Sequence, residues 1–298
     1  VSDTIVTFGL PDIASTNDIV INEILFNPWT DGEDYVEIFN RSNKIIDLST
    51  LRIGSIKESP PNPPDTIIVG IVDHQTLMLP DEYIVLTISP DAVKKQYMTL
   101  NPDAFLLVDP FPSYNNDKGH VTILSYDEAV IDSLTYSEEM QFPLLNYYDG
   151  VALERINPDV NVSDNTNWHS AAESVGFGTP GYQNSQFISN SDNTDEIVID
   201  PEIFSPDNDG HDDLLNIKYK FDTPGHVMSV IVYNADGYQI KKLVNNEYLG
   251  TEGSVSWDGI NDNNSKASVG IYVFYISVYD TDGNVKKYKR TGVLATKL

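Results

Sequence analysis

The 298-residue chain contains no cysteine. A disulfide framework, a thiolate nucleophile and a cysteine-based zinc site are therefore excluded, which leaves divalent cations and large cores as staples for an extracellular protein. Basic residues are also scarce. Lys+Arg 18 against Asp+Glu 45 gives a formal charge of -27, which repels phosphate backbones and anionic lipid surfaces and rules against nucleic acid as a partner. No apolar run approaches the roughly 20 residues that cross a bilayer, so no membrane insertion is expected. Helical periodicity is almost missing, and only Asp91 to Leu100 could form a helix, with Pro90 and Asp91 suiting its first turn. The sequence has no Gly-x-Ser-x-Gly elbow, Walker loop or dinucleotide fingerprint, and its five histidines (His74, His120, His169, His211, His226) lack zinc-site spacing.

What remains is strand. Apolar runs of four to eight residues recur between clusters of Asn, Asp, Gly, Pro and Ser, which predicts an all-β protein of two immunoglobulin-like β-sandwich domains in tandem. The expected strands of the first body are 19–26, 34–40, 66–71, 83–89, 120–125, 130–136 and 151–156. Those of the second are 197–199, 214–221, 226–233, 240–244, 253–257, 271–279 and 285–293, with Asn234-Ala235-Asp236-Gly237 and Asp280-Thr281-Asp282-Gly283-Asn284 as hairpin turns. Residues 185–196, rich in Ser, Asn and Asp, read as the linker between them. The stretch from Ser55 to Leu79, with Pro60-Pro61-Asn62-Pro63-Pro64, reads as a long crossing loop, either a passive connector or a polyproline ligand. Charge is uneven: residues 1–190 carry 28 acidic and 8 basic side chains, net -20, and residues 200–298 carry 14 and 10, net -4. The N-terminus begins in mid-pattern at Thr4-Ile5-Val6-Thr7-Phe8 without a basic or apolar leader. Residues 1–17 are accordingly expected to be an N-terminal strand or the remnant of an upstream module in a longer protein.

Several clusters invite a functional reading. In Phe204-Ser205-Pro206-Asp207-Asn208-Asp209-Gly210-His211-Asp212-Asp213, Asp207, Asp209 and Asp213 fall at positions three, five and nine of an EF-hand alignment. Ser205 and Asn216 occupy positions one and twelve, so the bidentate glutamate is missing. A calcium ion held with help from elsewhere and an Asx-type turn are both open. Asp258 to Asn264 is a second oxygen-rich loop. Trp168 is either a core residue or a sugar-stacking platform. Lys286, Lys287, Lys289 and Arg290 are either a lysine-guarded edge strand or a recognition surface for secretion machinery. Glu23 and Glu37 alternate with apolar neighbours and are expected to face water, and Asn22 and Asn40 to bond neighbouring backbone. Paired carboxylates such as Glu138-Glu139 are the one hint of a hydrolase.

Two resemblances add to this. Ile19-Val20-Ile21-Asn22-Glu23-Ile24, Glu33-Asp34-Tyr35-Val36-Glu37-Ile38-Phe39-Asn40 and Ile46-Asp47-Leu48-Ser49-Thr50-Leu51-Arg52-Ile53 resemble the opening of a bacterial lamin-tail domain. Leu79 to Leu86, Asn115 to Leu124, Leu153-Glu154-Arg155, Asn167 to Ala172 and above all Phe177-Gly178-Thr179-Pro180-Gly181-Tyr182 resemble its later segments. The likeness spans about 18–184, departs at the proline-rich stretch, and implies an accessory sandwich with no catalytic residues. From about 200 to 298, Val230 to Gly237, Ser256-Trp257-Asp258-Gly259 and Val269 to Phe274 resemble the immunoglobulin-like module of flagellar hook-capping proteins and the C-terminal modules of type IX secretion substrates. Many of those open with Phe-Ser-Pro-Asn-(Gly or Asn)-Asp-Gly, where Asp207 departs. The resemblance implies a secreted or cell-surface, non-catalytic protein for adhesion, scaffolding or export. Its partners would be a protein or glycan at the cell surface and the secretion machinery. The second hypothesis is a carbohydrate-binding accessory module of a larger secreted enzyme, drawing on 17 tyrosines and 3 tryptophans.

Overall fold

Strands make up most of the regular secondary structure in the computed structural model, which describes residues 9–59, 62–188, 196–207 and 210–296. The first body contains β1 (Ile19–Leu25), β2 (Tyr35–Asn40), β3 (Ile46–Asp47), β4 (Leu51–Ser59), β5 (Asn62–Gly70), β6 (Leu77–Met78), β7 (Tyr83–Thr87), α1 (Pro90–Gln96), β8 (Phe105–Leu107), β9 (Lys118–Ser125), β10 (Val130–Ser137), β11 (Leu153–Arg155) and β12 (Trp168–Ser170). The second contains β13 (Glu196–Asp200), β14 (Ile203–Phe204), β15 (Leu215–Lys220), β16 (Val227–Asn234), β17 (Gln239–Tyr248), β18 (Glu252–Trp257), β19 (Gly270–Tyr279) and β20 (Val285–Leu294). The all-β, tandem-sandwich expectation is met. One compact unit runs to Ala171 and includes Gly176–Asn184, and the other comprises Ala172–Val175 and the described residues from Ser185 on.

In the first unit a six-stranded sheet, ordered β12-β11-β1-β2-β7-β8, faces a four-stranded sheet, ordered β10-β9-β4-β5. Ile19, Ile21 and Ile24 of β1 and Val36 and Ile38 of β2 meet Ile53, Val121, Ile123 and Leu134 from the second sheet in one core. Burying such side chains stabilises by about 1.5–3 kcal/mol each. The other face of the six-stranded sheet is covered too, because Leu25, Tyr35 and Val85 pack with Val93 and Tyr97 of the α1 region. That second cover explains why all seven residues of β1 and all six of β2 are buried. Between the sheets, Arg155 and Asp132 form an ion pair at 3.0 Å with each side chain only 1% exposed. Asp132 also accepts from Ile21 N–H, and Arg155 donates to the Ile21 and Val160 carbonyls. In a chain without disulfides, this pair ties β1, β10 and β11 together.

The proline-rich stretch is not the crossing loop the sequence predicts. β4 and β5 form a hairpin, Arg52 pairing with Gly70 and Ser59 with Asn62, while Pro60 and Pro61 lie outside the described residues. β5 is the edge strand of its sheet, and an edge tolerates prolines because it needs ladder N–H groups on one side only. The strand-like 4–8 segment also lies outside the described residues.

In the second unit, a three-stranded sheet (β13-β15-β18) packs on a five-stranded one (β14-β20-β19-β16-β17). Trp257 sits at the centre, fully buried among Phe204, Tyr272 and Phe274. The first residues assigned to the linker are built into this unit. Gln186 is fully buried and donates to the Tyr248 hydroxyl and the Leu249 carbonyl, and Thr251 N–H donates to the Ser185 carbonyl. Residues 189–195 lie outside the described residues.

Candidate functional site

The densest polar arrangement in the first unit is one the sequence reading misplaces. Glu154, Glu23 and Glu37 stand opposite one another across β11, β1 and β2, a placement of like charges that destabilises a sheet left in water. All three are fully buried, so the expectation that Glu23 and Glu37 face solvent is overturned. The reason is the closing segment 177–184, which lies over this face and supplies donors. Tyr35 Oη donates to Glu23 Oε1 at 2.6 Å, and Thr179 N–H donates to the same oxygen at 3.0 Å. Gly181 N–H donates to Glu37 Oε2 at 2.6 Å, and Asn22 Nδ2 donates to Glu37 Oε1 at 2.8 Å. Asn184 completes the arrangement by accepting from Asn22 Nδ2 and donating to the Asn22 and Arg155 carbonyls.

Backbone geometry makes this clasp sequence-specific. Gly181 has φ +92, a left-handed conformation that favours glycine, and its N–H donates to Glu37 from there. At Gly178 a Cβ would meet Tyr97 Cδ1 at 2.7 Å. Burial pushes Glu23 up to about 8, with the charge of Glu154 adding to it and the Tyr35 and Thr179 hydrogen bonds opposing. Burial and then the charge of Glu23 raise Glu37 well above the usual carboxylate range. The Thr179 hydroxyl lies 2.9 Å from Glu23 Oε2 and 2.8 Å from Glu154 Oε1. A hydroxyl has one proton, so it donates to one carboxyl and must accept from the other. At least one of the two is a carboxylic acid. These are perturbed carboxyls sealed from solvent, and the arrangement serves to hold the closing segment down.

The residues singled out in the sequence fall in different places. Trp168 is 3% exposed, belongs to the core, and donates its indole N–H to the Val162 carbonyl, which removes it as a sugar platform. Asn40 bonds backbone as expected, donating to the Lys44, Met78 and Leu79 carbonyls, whereas Asn22 reaches side chains. The 204–213 loop lies between β14 and β15, inside the second unit. Asp209 lies outside the described residues. Asp213 Oδ2 accepts from the N–H of Gly210, three residues earlier, at 2.9 Å, a carboxylate bonded to its own loop's backbone, and Asp207 N–H donates to the Ser205 carbonyl. Among the described residues no group of three or more His, Asp or Glu is placed to hold a metal ion. Asp258 and Asn261 likewise accept backbone N–H groups of their own loop.

On β20, the register sorts the basic residues. Lys286, Tyr288 and Arg290 pair with the buried Val278, Ile276 and Phe274, while Lys287 and Lys289 pair with Ser277 and Tyr275 on the opposite face. Arg290 is tied down, its Nε donating to the Ile197 carbonyl at 2.9 Å and its guanidinium lying 5.6 Å from the Tyr288 ring. Lys286, Lys287 and Lys289 are exposed. β14 pairs with β20 only at Val293 and Leu294, leaving the lysine-bearing half of the strand outside that pairing.

Residues 198–295 match the family model described as the CHU_C type IX secretion signal domain. No curated protein matches the chain. Among solved structures, it is similar to CopC from Methylosinus trichosporium OB3b, with 15% identity and a TM-score of 0.24 over 34% of this chain and 93% of that one. It is also similar to PorZ, described as an essential surface component of the type IX secretion system of Porphyromonas gingivalis, with 12% identity and a TM-score of 0.27 over 91% and 30%. Dimeric latent PorU from the same organism gives 9% identity and a TM-score of 0.28 over 94% and 20%. This chain thus spans 30% and 20% of the two Porphyromonas proteins, and at these identities and scores no conclusion about it rests on the three likenesses. Among the described residues, no helix is long and apolar enough to cross a membrane. The type IX C-terminal module expected from the sequence is found over 198–295, and a chain bearing such a signal domain is secreted or displayed at the cell surface.

Proposed function

We propose that this is a non-catalytic surface protein whose second sandwich is the export signal recognised by the type IX machinery. The first sandwich is then a lamin-tail-like module displayed for adhesion or scaffolding. The observation that carries the reading is the match of 198–295 to the secretion signal domain. The lamin-tail assignment draws support from the carboxylate clasp, because Glu23, Glu37, Glu154 and Thr179-Pro180-Gly181 all lie within the motifs on which that resemblance rests. Recognition by the machinery would use β20, where Lys286, Lys287 and Lys289 are exposed in the less acidic half of the chain. Reversing those three lysines to glutamate should leave the fold intact, since exposed side chains contribute little to stability. In a host with type IX machinery the variant is expected to accumulate inside the cell. Normal surface levels of a folded triple variant would remove β20 from the recognition surface.

A further inference from the structure

A groove of about 530 Å³ opens on the outward side of the four-stranded sheet, lined by Ser49, Arg52, Ile68, Gly70, Asp73 and Tyr126 among others. This size falls within the range of small-ligand sites. Three features of its construction point to a ligand. First, Arg52 and Gly70 are register partners on β4 and β5, so the missing side chain at Gly70 leaves the floor open beside the guanidinium. A Cβ built there meets nothing closer than Val72 O at 3.9 Å. Second, the guanidinium lies 4.7 Å over the ring of Tyr126, which is 70% exposed. Tyr126 sits in the turn that follows β9, whose backbone is held where Ser125 N–H donates to the Ala129 carbonyl and Ser125 Oγ donates to Asp127. Third, Arg52 offers five N–H donors and meets one carboxylate, Glu128 Oε1, at 3.3 Å.

The geometry points to a binding site for a neutral saccharide, with the face of Tyr126 not covered by the guanidinium as the stacking surface and Arg52, Glu128 and Asp73 as hydrogen-bonding partners for ring hydroxyls. An aromatic ring beside paired donors and acceptors suits a sugar, whose apolar ring face and vicinal hydroxyls need both. The charge decides against an acidic ligand. Glu128 pairs with the single guanidinium and Asp73, bonded to His74, shares the lining, and residues 1–190 carry 28 acidic against 8 basic side chains. The site goes beyond the export reading and does not depend on it, since an unexported chain would still bind the sugar.

The test is calorimetric titration of the full chain with cellohexaose, laminarihexaose, mannohexaose and chitohexaose, and with polygalacturonate as the acidic comparison. At least one neutral oligosaccharide is expected to bind. Tyr126→Ala and Gly70→Leu, the latter growing into the open groove, should each weaken that binding by about tenfold or more, with urea midpoints unchanged. Trp168→Ala is buried elsewhere and should leave any residual folded protein binding normally. The proposal is overturned if none of the four sugars binds, if polygalacturonate binds more tightly than all of them, or if binding survives both groove variants. Should Gly70→Leu fail to fold, Tyr126→Ala alone decides.

Discussion

Replacing Glu23 by glutamine addresses the clasp most sharply, because it removes the capacity to ionise while keeping the side chain's size and shape. The carboxyl's ordinary value is 4.5, and in the folded chain it is pushed up to about 8. The folded state therefore holds this proton more tightly than the unfolded chain. Its stabilising contribution is complete below about pH 4.5, declines as pH rises, and is gone above about pH 8. A displacement of that size corresponds to on the order of 4–5 kcal/mol across the window. Glu37, also raised, acts in the same direction. Tyr35, Tyr97 and Tyr182 face the cluster and are themselves raised, so they stay neutral throughout, and His169 stands opposite Glu154 in register. Asp47 works in the opposite sense. Burial raises it, but hydrogen bonds from Ser49 and Thr76 outweigh that and hold it below the ordinary range, so its contribution is lost only in acid below about pH 4. Urea unfolding followed by tryptophan fluorescence, in a Trp257→Phe background that leaves Trp29 and Trp168 as reporters of the first unit, should show the wild-type midpoint falling steadily from pH 5 to 9. Glu23→Gln should flatten that fall and exceed the wild type at pH 9. Parallel profiles for the two proteins would refute the assignment of a proton to this cluster.

Five further outcomes follow from the structure. Gly181→Ala forces a side chain into φ +92 and puts its Cβ 2.9 Å from Thr99 Oγ1, so thermal melts should show a loss of about 1–3 kcal/mol. Gly176→Ala, at φ +78 with open space around it, should cost only about 1 kcal/mol. Asp132→Ala strands Arg155 in the core and should cost about 3–5 kcal/mol by urea titration, whereas the exposed pair Lys218–Asp200 should be worth under about 1 kcal/mol. Asp213→Ala removes the acceptor for Gly210 N–H and should lower the second unit's stability by about 0.5–1.5 kcal/mol in calcium and in chelator alike. A loss confined to calcium buffer would reinstate a bound cation at that loop.

Strand identity was legible wherever one face is buried. Val227–Asn234 alternates buried and half-buried residues, and the Asn234-to-Gly237 turn closes as its composition dictates, with Gly237 at φ +83. Alternation could not reveal that the polar face of β1 and β2 is covered a second time. The residues that cover it, Thr179 and Gly181, lie 156 and 144 positions away from Glu23 and Glu37. A sequence clue exists in the Gly178-Thr179-Pro180-Gly181 spacing, in which the N–H groups of Thr179 and Gly181, on either side of a proline that has none, both aim inward. The β4–β5 hairpin was hidden by its prolines, which exclude a central strand but not an edge. Trp168 could not be placed from the sequence, because a lone tryptophan between polar residues suits a surface and a core equally well. The groove at Arg52 and Tyr126 joins β4 to the turn after β9, a pairing that only register discloses.

The export claim is tested most directly by transplanting the second unit. Residues 196–298 fused behind a reporter enzyme that normally stays inside the cell should carry it to the surface or the medium in a host with working type IX machinery. The same fusion should be retained in an isogenic host lacking that machinery. Equal distribution of the reporter in the two hosts would contradict the reading of residues 198–295 as a secretion signal.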